Sequence, residues 1–214
     1  MILAFTGLVA GFVHVLCGPD HLAAMAPYAV EGKRSAWRTG VRWGLGHSAG
    51  VLGVGLLALM FRDALHIDVL STWGERCVGL VLIGIGCWSM RAALAARRAH
   101  RNRARHEAVP HVHGHAAFAV GTVHGLAGSS HVLGIVPALV MPSTLTAAAY
   151  LLLFGVGTVL AMGTVSSLVG RLADRSGASP AAQSALLAVC SVLAFCVGGI
   201  WLFANFGPTL TSWA

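Results

Sequence analysis

Charged residues divide the chain into long apolar runs and short polar connections. Asp, Glu, Lys and Arg are absent from residues 1–19, 43–61, 77–90, 108–170 and 176–214. A helix that crosses a bilayer needs roughly 20 mostly apolar residues. The 63-residue run from Ala108 to Gly170, broken near Pro142, therefore holds two crossings. The pattern predicts six helices, over residues 2–30, 40–61, 74–96, 115–141, 145–170 and 183–206. The third has only 14 charge-free residues, with Trp73, Glu75 and Arg76 at one interface and Arg91 snorkelling toward the other. The expected fold class is an all-α integral membrane protein.

Composition agrees. The 214 residues are 57% hydrophobic and 10% charged, against about 25% charged in a soluble domain. Disorder is excluded by the apolar excess. Five cysteines scattered over a long apolar chain do not make a disulfide scaffold. The net charge of +7 could suggest a nucleic-acid partner, but its distribution points elsewhere. Lys33, Arg34, Arg38 and Arg42, the six arginines from Arg91 to Arg105, and Arg171 with Arg175 fall in alternate loops, leaving only Arg62 and Arg76 on the other side. By the positive-inside rule both termini are expected outside the cytoplasm, in the cytoplasmic (inner) membrane. RRAHRNRAR is then a topology anchor, and no nucleic-acid partner is expected. The first apolar segment has no basic n-region, so a cleaved signal peptide is not expected.

The chain also resembles itself. Shifted by 110, VHVLCGPDHLAAMAP (13–27) lies over VHGLAGSSHVLGIVP (123–137), pairing His14 with His124, Gly18 with Gly128, His21 with His131 and Pro27 with Pro137. WGLGH (43–47) lies over FGVGT (154–158), and Gly86 and Trp88 over Gly199 and Trp201. Three matches in the same order indicate a duplicated three-helix unit. An odd number of crossings per unit gives the second copy the opposite orientation, a 3+3 inverted repeat with broken helices 1 and 4. One transmembrane domain, 1–214, then comprises repeat 1 (about 1–97), a cytoplasmic His/Arg-rich linker (about 98–114) and repeat 2 (about 115–214).

Asp20 is the only acid inside an apolar segment. A carboxylate at mid-bilayer costs about 2.5–3.5 kcal/mol on insertion scales, and a bound cation would offset that cost. His14, His21, His47, His124 and His131 also fall within or at the ends of apolar segments. On an unbroken helix His14 and His21 would share a face but stand about 10 Å apart, too far for one ion with nitrogen ligands at about 2.0–2.1 Å. Between them lie Cys17, Gly18 and Pro19, and a break at Gly18-Pro19 would fold His14, Asp20 and His21 toward one centre. Gly128 would mark the corresponding break in helix 4. Cys17 and Ser130 are further candidate ligands. Imidazole with one carboxylate suits a first-row divalent metal rather than Mg²⁺ or Ca²⁺. Glycine pairs, Gly46 with Gly50 and Gly121 with Gly125, would let helices approach around the site. In the linker, His111, His113 and His115 spell HVHGH and form a candidate cytoplasmic hand-off site.

At HVLCGPDH the chain resembles the nickel/cobalt permease superfamily. His14, Gly18, Asp20 and His21 stand at the positions of the His-Pro-x-x-Gly-x-Asp-His pattern of its hydrogenase- and urease-accessory permeases, with Val15 in place of the proline. GPDHLAAMAP, WGLGH, LHIDVLSTWGERCVGL and GTVHGL look like the urease-accessory-type branch and its plastid relatives, over roughly residues 11–170. The resemblance implies a polytopic permease for Ni²⁺ or Co²⁺, with His14, Asp20 and His21 contacting metal and His47 as the second-helix histidine. Where such relatives carry a polar or acidic residue after VHGL, this chain reads Ala127-Gly128-Ser129-Ser130-His131. Superfamily members run in both directions.

The expected function is a divalent transition-metal permease working by alternating access. Ni²⁺ or Co²⁺ comes first, uptake is set slightly ahead of efflux, and a Zn²⁺ or Mn²⁺ exporter on the same fold is one alternative. Ligation requires neutral histidine, so affinity is expected to fall as pH drops through about 6.5. A thiol-relay protein of the cytochrome-biogenesis type is the other alternative, weakened because the repeat partner of Cys17 is Ala127. No His-Glu-x-x-His occurs, and an enzyme is not expected. The expected partners are the cation, the lipid bilayer, metal-delivery or metalloenzyme-maturation proteins and a second copy of the chain; no resident cofactor is expected.

Overall fold

The computed structural model describes residues 2–32, 35–60, 67–102, 114–126, 134–175 and 180–204. Among these the chain is entirely helical: α1 (Ile2–Cys17), α2 (Pro19–Gly32), α3 (Ala36–Met60), α4 (Ile67–Asn102), α5 (Gly114–Gly125), α6 (Val136–Leu139), α7 (Thr144–Arg175) and α8 (Pro180–Ala204). Four helices are long and apolar enough to cross a membrane, and a fifth span arises if α1 and α2 count together. The span expected over 115–141 is described only as α5 and the single turn of α6, because residues 127–133 lie outside the described residues. The helix expected to stop at residue 96 continues to Asn102, into the segment expected to be linker. Ala92 to Ala96 and the arginines beyond them contain no Gly or Pro to end it.

The distribution of polarity is that of a protein in lipid. Leu145, Leu172, Ile200 and Phe203 are among many large apolar side chains on the outside, while His14, Asp20, His21, His47, Ser89, His124, Thr158, Ser184 and Ser191 are buried. Buried polar groups far from water must satisfy one another. Between α4 and α8 they do so reciprocally. Ser89 Oγ donates to the Leu187 carbonyl at 2.9 Å, Ser184 Oγ to that of Ala93 at 2.8 Å and Ser191 Oγ to that of Gly86 at 2.7 Å. Arg97 Nε donates to Ser184 Oγ at 3.0 Å and extends the seam toward the end of α4.

The remaining helices pack as α1 on α7, α5 on α3 and α3 on α7, with α2 held among α3, α4, α7 and α8. Glycine makes two of these contacts possible. A Cβ on Gly11 would strike the Phe154 carbonyl, and one on Gly157 that of Leu8; likewise Gly121 lies on the Trp43 carbonyl and Gly46 on that of Phe118. Without a hydrophobic drive in lipid, association depends on such close backbone approach. Gly11→Ala and Gly121→Ala are therefore expected to lower the thermal unfolding midpoint in detergent, because the methyl group meets backbone that cannot rotate away. Gly53→Ala and Gly84→Ala, where nothing lies within 4 Å of the added carbon, are expected to leave the midpoint unchanged or raise it, since Ala is favoured over Gly in a helix by about 1 kcal/mol.

Candidate metal centre

Three helix ends and the middle of a fourth helix converge in the core. His14 lies in the last turn of α1, Asp20 in the first turn of α2 with His21 beside it, and His124 in the last turn of α5. His47 comes from inside α3. His21, His47 and His124 are fully buried, and Asp20 and His14 are 1% and 5% exposed. The chain turns by 72° between α1 and α2. Pro19 has no N–H to lose at the first position of α2, and the Gly18 carbonyl accepts the amides of His21 at 3.1 Å and Leu22 at 3.3 Å. Gly18 is needed for room: a Cβ there would meet the His21 ring, the Asp20 carboxylate and the His14 carbonyl. The turn brings the His14 and His21 rings, about 10 Å apart on a straight helix, to a centroid separation of 4.5 Å.

Asp20 ties these elements together. Its Oδ1 lies 3.0 Å from His21 Nδ1 and its Oδ2 lies 3.1 Å from His124 Nε2. An ionised carboxylate only accepts, so both ring nitrogens donate. Each ring then has its lone pair on the other nitrogen, and His21 Nε2 and His124 Nδ1 are buried without a hydrogen-bond partner. The His14–His47 and His21–His47 centroid separations are 5.5 and 4.9 Å. Two triads have ligand atoms within 4.8 Å of one another, His14–His21–His47 and Asp20–His21–His124, and they share His21. Helix dipoles favour the arrangement. The carbonyl ends of α1 and α5 present negative potential that suits a cation, and the amino end of α2 suits the Asp20 carboxylate.

The structure thus brings together His14, Asp20, His21, His47 and His124. Cys17, read as a further ligand, closes α1, is exposed and belongs to neither triad. His115 opens α5 and is exposed. Ser130, His131, Gly128, His111 and His113 lie outside the described residues. One contributor was missed from sequence. Trp43 is fully buried and stacks on His47 with 8° between the planes at 5.2 Å. It also stands edge-on to His21 at 5.4 Å and tilted against His124 at 5.3 Å. Phe154 lies 5.4 Å from His14. The signal was present, because WGLGH over FGVGT places these two aromatics at one repeat position.

Over 97% of its length the chain is 38% identical to Chloroplast protein FOR GROWTH AND FERTILITY 1 of Arabidopsis thaliana, and it spans 60% of that protein. The chain spans about half the length of a second such Arabidopsis protein. It is 27% identical to the urease accessory protein UreH of a Bacillus species over 95% of the chain and 91% of UreH. Over 44% of the chain it is 24% identical to a Methanocaldococcus jannaschii protein named as a nickel/cobalt efflux system, covering 45% of that protein. The urease accessory and nickel/cobalt efflux proteins are thus distant relatives, and the more similar ones are the chloroplast proteins. No family model matches the chain, and no solved structure matches it.

Because Trp43 touches rings from both triads, its removal should loosen the whole centre. Trp43→Ala is expected to destabilise the protein toward the low end of the roughly 3–5 kcal/mol seen for such truncations, since burial from lipid gains less than burial from water. Trp43→Phe, which keeps an aromatic face against His47, is expected to lose less than half as much. Thermal unfolding in detergent measures both.

Proposed function

We propose that this protein is a permease that carries Ni²⁺ or Co²⁺ across a membrane through the His/Asp centre, with uptake favoured over efflux. The observation that carries the reading is a single buried carboxylate surrounded by four imidazoles at the meeting of helix ends. Such a cluster is costly in a membrane, and intramembrane ionisable groups mark ion pathways. Neutral imidazoles with one carboxylate favour Ni²⁺, Co²⁺ or Zn²⁺ over Mg²⁺ and Ca²⁺. The similarity to UreH and to a protein named for nickel/cobalt efflux supports metal transport. Uptake is favoured on energetic grounds, since an inside-negative potential of 100 mV draws a doubly charged cation inward with about 4.6 kcal/mol.

The architecture we propose for it is six spans in a 3+3 inverted repeat, with both termini outside the cytoplasm. Packing supports the repeat. In its register Gly11 corresponds to Gly121, Leu8 to Phe118, Trp43 to Phe154 and Gly46 to Gly157. The contacts of α1 with α7 are then those of α5 with α3, carried out by equivalent residues. Alternating access follows if the two units rock about the centre where both contribute imidazoles.

Metal accumulation in cells expressing wild type or Asp20→Asn, with nickel, cobalt, zinc and manganese supplied in turn, tests the proposal. Wild type is expected to raise cell nickel or cobalt several-fold over the variant. Lower metal in wild type would reverse the direction, and equal accumulation of all four metals in both strains would overturn the proposal.

A further inference from the structure

Building on the permease reading, we infer that Asp20 does not ligate the transported ion but positions His21 and His124, and that the ion is held by His14, His21 and His47. The two triads share His21 but are not equivalent. In Asp20–His21–His124 the facing atoms are already joined, each carboxylate oxygen accepting one ring N–H at 3.0 and 3.1 Å. An ion placed there would have to displace both protons. For His14–His21–His47 the nitrogen that His21 has left to offer is Nε2, which holds a lone pair and no hydrogen-bond partner although fully buried. Nitrogen ligands at about 2.0–2.1 Å put imidazole centroids about 3.2 Å from an ion, hence about 4.5 Å apart for ligands at right angles and about 5.2 Å at the tetrahedral angle. The three observed separations, 4.5, 4.9 and 5.5 Å, span that range.

The division of labour has a chemical logic. A carboxylate that accepts the Nδ1 proton of a ligating histidine fixes its tautomer and orientation and raises the basicity of Nε2. Asp20 does this for His21 and, with its other oxygen, draws His124 of α5 onto the same anchor. The negative charge stays close behind the ligand shell and partly offsets the charge of the ion. A carboxylate outside the shell also leaves an all-imidazole face, which disfavours oxygen-seeking ions such as Mg²⁺.

X-ray absorption of purified protein loaded with Ni²⁺ counts imidazoles through multiple scattering. Three are expected in wild type, three in Asp20→Asn and in His124→Gln, and two in His47→Gln; His14→Gln serves in place of His47→Gln should the latter fail to fold. Asp20→Asn is expected to weaken Ni²⁺ binding 10–100-fold at an unchanged count, the usual effect of removing an outer carboxylate. A count that falls in His124→Gln and not in His47→Gln or His14→Gln would overturn the assignment while leaving the permease reading intact. Wild type that binds neither Ni²⁺ nor Co²⁺ would overturn both.

Discussion

The two hydrogen bonds accepted by Asp20 are the constraint on which the centre depends. A carboxylate at 1% exposure in an apolar helix assembly must be satisfied, and its bonds to His21 and His124 do so while joining the start of α2 to the end of α5. That demand reaches back into the sequence. Asp20 can face His124 only if α2 leaves α1 at a steep angle, which is what Gly18 and Pro19 permit. It reaches outward too, because His21 cannot serve Asp20 through Nδ1 without leaving its Nε2 among the rings of His14 and His47. One anion therefore decides a helix turn, two tautomers and the direction of a lone pair.

Glycine decides whether that arrangement can be closed. The centre needs α1 and α7, and α5 and α3, near enough for ring contacts across the core. Gly11 on Phe154 and Gly121 on Trp43 supply that proximity through backbone contact, and each places an aromatic ring beside a histidine of the centre. Trp43 and Phe154 thus have two tasks, as the seats on which glycines of the neighbouring helix rest and as walls of the metal centre. The α4–α8 pair is sewn by serine hydroxyls and Arg97, and among the described residues it contributes no side chain to either triad.

Much of the centre was legible because its residues violate the chemistry of their surroundings. Asp20 and the histidines are polar where lipid demands apolar side chains, and the Gly18-Pro19 pair is a helix breaker where a span should continue. Trp43 was not legible as part of the centre, since a tryptophan in an apolar helix breaks no rule; only its alignment with Phe154 hinted at a shared task. Periodicity could not see that His21 presents two nitrogens to two different triads, because that depends on a tautomer set by a partner. Helix ends were least legible: nothing in the run from Ala92 to Asn102 stops a helix, so α4 extends beyond the apolar stretch from which its length was read. Cys17 lies three residues after His14, only about 60° from it around α1, so angular position alone could not separate the two; what the sequence could not show is that His14 is buried while Cys17 is exposed.

The two triads on either side of His21 also bear on how an ion could move. A site that binds a divalent cation with three imidazoles and a close anion risks holding it too tightly to release. Sharing one ring between the two triads provides a route to release that needs no large motion at the ligands themselves. If α5 shifts relative to α2, the bond from His124 to Asp20 lengthens, while His21, next to Asp20 on α2, keeps its own bond to the carboxylate. The anchor that fixes the centre is then held from one side only, and the ligand shell loosens as the helices part. Rocking of one unit against the other would in this way couple to affinity through the bond from His124 to Asp20, and Asp20 would act as the hinge of that coupling rather than as one more ligand.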